Sequence, residues 1–181
     1  MAHIAMLLAA DFEDSEFTVP YRRLNEAGHE VTIIGRQAGE TLKGKRGAAT
    51  AIVDRAAGET EPEQFDGLVI PGGYSPDHLR MDPNVVDFVR RLARAGRLIA
   101  AVCHGPQLLI EADQVRGRTL TSWPSVRTDL QNAGAHWVDR PVVEDGNLIT
   151  SRQPDDLEMF SAAILRHLRA PGQGASSKHA G

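Results

Sequence analysis

Short apolar runs that alternate with helix-compatible segments narrow the folds open to this chain. The runs lie at residues 3–8, 30–34, 67–70 and 98–102, each about the length of a strand. Between and after them, residues 15–27, 83–95, 108–111, 124–133 and 154–168 read as helices. The clearest is 83–95, where Val85, Val86, Phe88, Val89 and Leu92 form one apolar stripe, arginines face outward and Gly96 is the stop. Pro20 falls inside the first helix and predicts a kink there. Gly44 and Gly47 separate two β-like stretches within 41–54, which predicts a hairpin. Asp145-Gly146 predicts a second hairpin between 142–144 and 148–151. Residues 62–65 suit a single helical turn, and the small, polar, Gly-rich stretch 170–181 reads as a mobile tail. Repeated βα units bury their strands on both faces. The predicted class is therefore α/β, a mostly parallel sheet between helices, as a single domain over 1–169.

In such a sheet the site lies at the carboxyl ends of the strands. Three loops should meet there: residues 9–14, 71–77 and 103–106. The last holds Cys103, the single cysteine of 181 residues. An apolar strand ends at Cys103-His104-Gly105-Pro106, and a helix follows at once. A thiol at that apex stands near the positive end of a helix, which favours the thiolate. Gly105 suits a close approach or an unusual backbone angle, and Pro106 a first helical turn. A buried core cysteine is the plainer reading; the flanking pattern favours a nucleophile at an elbow.

The other two loops offer partners. Asp11, Glu13 and Asp14 suit helix caps, but Glu13 could instead face the thiol and carry a proton. Gly72 and Gly73 allow backbone N–H groups to point at an oxyanion, with the His104 N–H as a further donor. His104 acts as a base only if its ring folds back to the sulfur, and Asp77 is the nearest acid by position. The histidines are scattered without metal-ligand spacing, and Pro71-Gly72-Gly73 lacks either usual phosphate-loop pattern, so neither a metal nor a nucleotide cofactor is expected.

Composition excludes several classes. Hydrophobic residues make up 41%, charged residues 24%, and the net charge is -4 with mixed signs, which points to neither a nucleic-acid nor a membrane partner. Residues 1–10 are apolar but lack a basic leader and run straight into acids, so they read as a strand and not a signal peptide. One cysteine cannot close an internal disulfide, which fits a reducing cytoplasm.

Four motifs occur in order: Asp11-Phe12-Glu13-Asp14-Ser15-Glu16, Pro71-Gly72-Gly73-Tyr74-Ser75-Pro76-Asp77, Val102-Cys103-His104-Gly105-Pro106-Gln107-Leu108-Leu109 and Arg116-Gly117-Arg118. Over about residues 3–168 the chain resembles the PfpI family of the parkinsonism-associated deglycase superfamily, nearest its general-stress-protein branch. The resemblance implies a flavodoxin-like sandwich related to class I glutamine amidotransferase domains. It implies Cys103 as nucleophile, Glu13 as its acid partner and His104 as third member, supported by an acid from a neighbouring subunit in a homodimer. Asp77 stands at that position, where the best-known members carry a glutamate. The implied activity is on reactive dicarbonyls or their adducts, with free dicarbonyl or glycated protein or nucleotide as substrate. A cysteine peptidase and a redox-sensing or chaperone stress protein are the alternatives.

Overall fold

The computed structural model describes residues 1–170. The expected tail at 170–181 therefore lies, but for Ala170, outside the described residues. In chain order the elements are β1 (His3–Leu7), α1 (Asp14–Glu26), β2 (Glu30–Gly35), β3 (Thr41–Lys43), β4 (Thr50–Ile52), β5 (Arg55–Ala56), β6 (Gly67–Ile70), α2 (Ser75–Leu79), α3 (Pro83–Arg94) and β7 (Leu98–Val102). They continue with α4 (Pro106–Glu111), β8 (Thr119–Leu120), α5 (Arg127–Asn132), β9 (His136–Trp137), β10 (Val142–Asp145), β11 (Leu148–Ser151) and α6 (Leu157–Arg169).

Seven strands form the main sheet in the order β10-β11-β7-β6-β1-β2-β5. Every pair is parallel except β10 with β11, which is the hairpin expected around Asp145-Gly146. Side-chain alternation along the strands divides the core in two. Ile4 and Met6 of β1, with Ala100 and Val102 of β7, pack toward α1 and α6, where Phe17, Leu24, Phe160 and Ile164 meet them. Ala5, Leu7, Ile99 and Ala101 face the other way, onto Val85, Phe88, Val89 and Leu92 of α3 and Leu108 of α4. Each fully buried Leu, Ile or Phe contributes about 1.5–3 kcal/mol, so both layers are held by burial on a sheet that has no wet face.

Local signals explain the element ends. Asp82 accepts the Asn84 N–H at 2.9 Å and Pro83 opens α3, while α4 begins on Pro106. Pro20 does not interrupt α1, which runs continuously through it. The hairpin β3–β4 forms as expected. Two strands of two residues, β8 and β9, pair in a separate small sheet that no sequence period marks. No helix among the described residues is long and apolar enough to cross a membrane.

Candidate active site

β7 delivers Cys103 to a bend where its φ is 61°, a left-handed conformation that costs a non-glycine residue on the order of 1–2 kcal/mol. Three backbone bonds fix it there. The Cys103 N–H donates to Ser151 O at 3.0 Å, the Trp123 N–H to Cys103 O at 2.9 Å, and the Gly105 N–H to Val102 O at 2.8 Å. Gly105 has an ordinary helical φ of -49°, so it serves close approach rather than an unusual angle. A Cβ on it would stand 2.6 Å from Ile70 O and 2.9 Å from Val102 O.

The three loops do converge. The Tyr74 N–H donates to Asp11 O at 2.8 Å and the Glu13 N–H to Gly72 O at 3.2 Å, which sews the first loop to the second. Gly72 closes the gap to the elbow. A Cβ there would lie 2.5 Å from Glu16 Oε1 and 2.9 Å from both Cys103 Cβ and His104 N. Only glycine leaves room for a carboxyl and a thiol to share that space.

The carboxyl that meets the thiol belongs to Glu16, not to Glu13. Glu13 precedes α1 with extended backbone and aims at the β3–β4 hairpin. Its Oε2 pairs with Lys45 Nζ at 2.8 Å and its Oε1 with Arg46 Nε at 2.9 Å. Glu16 lies in the first turn of the helix, on the buried face with Phe17, Pro20 and Leu24. It is 0% exposed. Oε1 accepts the Gly72 N–H at 2.9 Å, and Oε2 has no hydrogen-bond partner among the described residues. Burial, with the Glu13 charge adding to it, pushes the Glu16 carboxyl up to about 8, against the Gly72 bond, the Cys103 contact and Lys45. Glu16 is therefore protonated at neutral pH.

Burial also pushes the Cys103 thiol up, and the neighbouring Glu16 adds to this. The backbone N–H groups of His104 and Gly73 face the sulfur and pull the other way. Gly73 and His104 thus stand where the sequence placed oxyanion donors. Gly72 does not, because its N–H is held by Glu16. The His104 ring does fold back, with Nδ1 3.3 Å from Cys103 Sγ. Its Nε2 is 3.5 Å from Ser125 Oγ and its face stacks on Trp123 at 6.5 Å between centroids. Burial, then the charge of Lys45, holds this histidine below its ordinary range, so the ring is neutral. Asp77 sits exposed in the first turn of α2, and its carboxylate pairs with nothing among the described residues. The chain does not bring it to its own His104.

Sequence reasoning missed Glu16, Lys45, Arg46, Trp123 and Ser125. For Glu16 a signal existed. It falls at i, i+4, i+8 with Pro20 and Leu24, so an acid stands on the apolar face of its helix. Lys45 and Arg46 come from a hairpin whose docking onto the first loop no local pattern announces. Asp14 makes that docking, accepting N–H groups of Arg46, Ala48 and Ala49 at 2.9, 2.8 and 2.7 Å.

Known proteins resemble this chain in sequence and fold. Residues 2–167 match the model of the DJ-1/PfpI family. The chain belongs to that family. It is 49% identical over 168 residues to the protein/nucleic acid deglycase 2 of Escherichia coli (strain K12), covering 92% of this chain and 98% of that relative. It is 46% identical over 163 residues to general stress protein 18 of Bacillus subtilis, covering 90% and 95%. Two crystal structures extend the likeness. A two-domain protein of Anabaena variabilis, with DJ-1/ThiJ/PfpI-like and ferritin-like domains, has a TM-score of 0.92 at 42% identity. It covers 99% of this chain, which spans about half (52%) of that one. DJ-1beta of Drosophila melanogaster has a TM-score of 0.86 at 34% identity, covering 92% of this chain and 90% of its own. The DJ-1/PfpI flavodoxin-like sandwich expected from the motifs is thus the fold of this chain.

Proposed function

We propose that this DJ-1/PfpI chain is a cysteine enzyme that acts on reactive dicarbonyls or their glycated adducts, working in the cytoplasm without metal or organic cofactor. The observation that carries the reading is the convergence on Gly72: a strained thiol, a protonated buried carboxyl and two N–H groups in one small space. The name of the Escherichia coli deglycase relative supports it.

With methylglyoxal the steps follow from these groups. Cys103 Sγ forms a bond to the aldehyde carbon while its proton passes to His104 Nδ1, 3.3 Å away. The N–H groups of Gly73 and His104 stabilise the oxygen as it gains charge. His104 returns the proton to that oxygen, which leaves a neutral hemithioacetal. The acid form of Glu16 gives its proton to the ketone oxygen and takes the proton of the former aldehyde carbon, forming an enediol. It then gives a proton to the former ketone carbon and takes that of the hydroxyl on the former aldehyde carbon, leaving a hydroxyacyl thioester and Glu16 again as the acid. Glu16 is the group placed to move these protons, with a carboxyl poised near neutral pH. Water cleaves the thioester, releases lactate and restores the thiol. The proton role first read onto Glu13 thus passes to Glu16.

The close His104–Cys103 contact also supports a cysteine peptidase, provided a second subunit supplies the missing acid. A homodimer would place Asp77 of one chain beside His104 of the other. Light scattering and mixing of Cys103→Ala with Asp77→Ala chains test this; recovery of activity from two inactive parents is expected. The deciding experiment for the main reading is lactate formation from methylglyoxal. The wild-type chain should produce it and Cys103→Ala should not, with unchanged circular dichroism. Substantial lactate from the alanine variant removes Cys103 as nucleophile.

A further inference from the structure

Lys45 lies at the tip of the β3–β4 hairpin and faces the site. Its backbone is fixed there: the Lys45 N–H donates to Phe12 O at 2.9 Å and the Asp11 N–H to Lys43 O at 2.9 Å. The turn rests on Asp14, and a Cβ on Gly44 would stand 2.2 Å from Asp14 Oδ1, so the hairpin reaches the first loop through a glycine contact. The side chain is fixed as well. Nζ pairs with Glu13 at 2.8 Å and lies 6.0 Å from the centre of the Tyr74 ring, which leaves the side chain 35% exposed. This is unusual restraint for a lysine, whose four-carbon stem normally keeps its rotamer freedom in water.

The charged and titratable groups around the thiol can be named from every packed element. α1 and the residue before it supply Glu16 and Glu13, the hairpin Lys45 and Arg46, and the elbow His104. Asp11 and His78 are paired with each other at the rim, at 3.5 Å. His104 is neutral and Arg46 is mostly exposed, with 68% of its side chain open to water. Lys45 is the restrained cation of the set. It is held on Glu13, whose N–H donates to Gly72 O at 3.2 Å, and Gly72 is the residue packed against Cys103 Cβ.

We propose that Lys45 is a positioning residue for the Cys103 nucleophile: its ammonium, clamped between Glu13 and Tyr74, stabilises the thiolate, and Glu13 tempers that effect. The elbow supplies two N–H dipoles to the sulfur, while burial opposes its ionisation. A positive charge held beside the elbow in a partly buried site, even one paired with Glu13, shifts that balance toward the thiolate. Glu13 then has a definite function without touching sulfur. It holds the ammonium in place and cancels part of its field. The proposal rests on the reading of Cys103 as nucleophile.

The test is the rate at which the full-length chain's single cysteine is alkylated by iodoacetamide, followed by mass spectrometry from neutral to alkaline pH. Lys45→Met should slow alkylation about tenfold at neutral pH and move the rate profile upward by about one pH unit. Lys45→Arg should restore most of the rate, because it returns the charge. Glu13→Gln should act in the opposite direction, speeding alkylation and moving the profile down. A hairpin brace without an electrostatic effect would change thermal stability in both variants but leave the profile where it is. An unmoved profile in Lys45→Met, a Glu13→Gln shift in the same direction as Lys45→Met, or no alkylation of any variant overturns the proposal. Lactate formation by the wild type is a separate readout, so failure of the dicarbonyl reading and failure of the Lys45 role are told apart.

Discussion

α3 and the rim of the sheet around Cys103 treat charge in opposite ways. On α3 every rule of helix construction is kept. Asp82 caps it, Pro83 opens it, its apolar stripe is buried and Arg91 reaches out to Glu63. Its charges pair with carboxylates that lie open to water, where they require little of the fold. At the rim the rules are broken within a few ångströms of one another. Cys103 and Asp11 hold positive φ, and Glu16 is buried without a cation and with one oxygen unpartnered. The contrast teaches where the molecule gives up stability. Burying Glu16 is tolerated because α1, α6 and the sheet around it are tightly packed, and the strain concentrates around Cys103.

The largest test of that contrast is Glu16→Gln. Turnover should fall on the order of a hundredfold or more if Glu16 carries the proton steps. Stability should move the other way, with a pH dependence that can be signed. Below the ordinary value of 4.5 the carboxyl is protonated both folded and unfolded, and it makes no pH-dependent contribution. From there up to about 8 the folded state holds a proton that the unfolded chain has lost. The wild type therefore loses stability through that window, and the loss levels off above it. Glutamine does not titrate. Urea unfolding should find Glu16→Gln more stable than wild type at alkaline pH by on the order of a few kcal/mol, with the gap closing in acid. A gap that does not change with pH would remove the claim that Glu16 is held as an acid.

Much of this molecule was legible in the sequence, and what was not has a physical reason. The strands around residues 3–8 and 98–102, the stripe of α3 and the turn at Cys103-His104-Gly105-Pro106 are local features. Each is set by residues within one element, and each appears where expected. The choice between Glu13 and Glu16 is not local. Both stand in the same motif, and which one meets the sulfur depends on a loop 56 residues away in sequence, through the Gly72 N–H. Helical phase alone favoured Glu16, since Pro20 and Leu24 mark the buried face. The arrival of Lys45 is less legible still, because it depends on how a short hairpin docks. Asp77 could not be placed against His104 from one chain at all.

Asp14 offers a middle case, a buried charge that is fully satisfied. Burial pushes its carboxyl up, but the N–H groups of Arg46, Ala49 and Ala48 outweigh this and hold it below the ordinary carboxylate range. Asp14→Asn keeps one acceptor oxygen and turns an amide NH₂ toward backbone donors. It should cost about 1–3 kcal/mol near neutral pH. A depressed acid stabilises the fold above its unfolded value of 3.8, and that contribution is lost as the pH falls below it. The difference between the two chains should therefore shrink in acid, as for Glu16→Gln, but with the opposite sign: here the wild type is the more stable chain at higher pH. Because the hairpin holds Lys45, this variant should also slow Cys103 alkylation.

Arg91→Ala should have the smallest effect, and it sharpens the comparison from the other side. Arg91 makes the most complete ion pairing on α3, with Nε 2.8 Å and Nη2 2.6 Å from the two oxygens of Glu63. By contact geometry alone it looks as well held as Lys45. The difference is solvent. Glu61 and Glu63 are exposed, at 78% and 48% of their side chains, and water screens the pairs. Exposed pairs contribute little, so Tm should fall by no more than about 3 °C. Raising the salt concentration should erase most of that fall, since screening already does what the mutation does. Turnover and the Cys103 alkylation profile should not change. A Tm loss as large as that of Asp14→Asn, persisting in high salt, would mean that α3 depends on its charges after all. The division between a screened helix face and a strained rim would then fail.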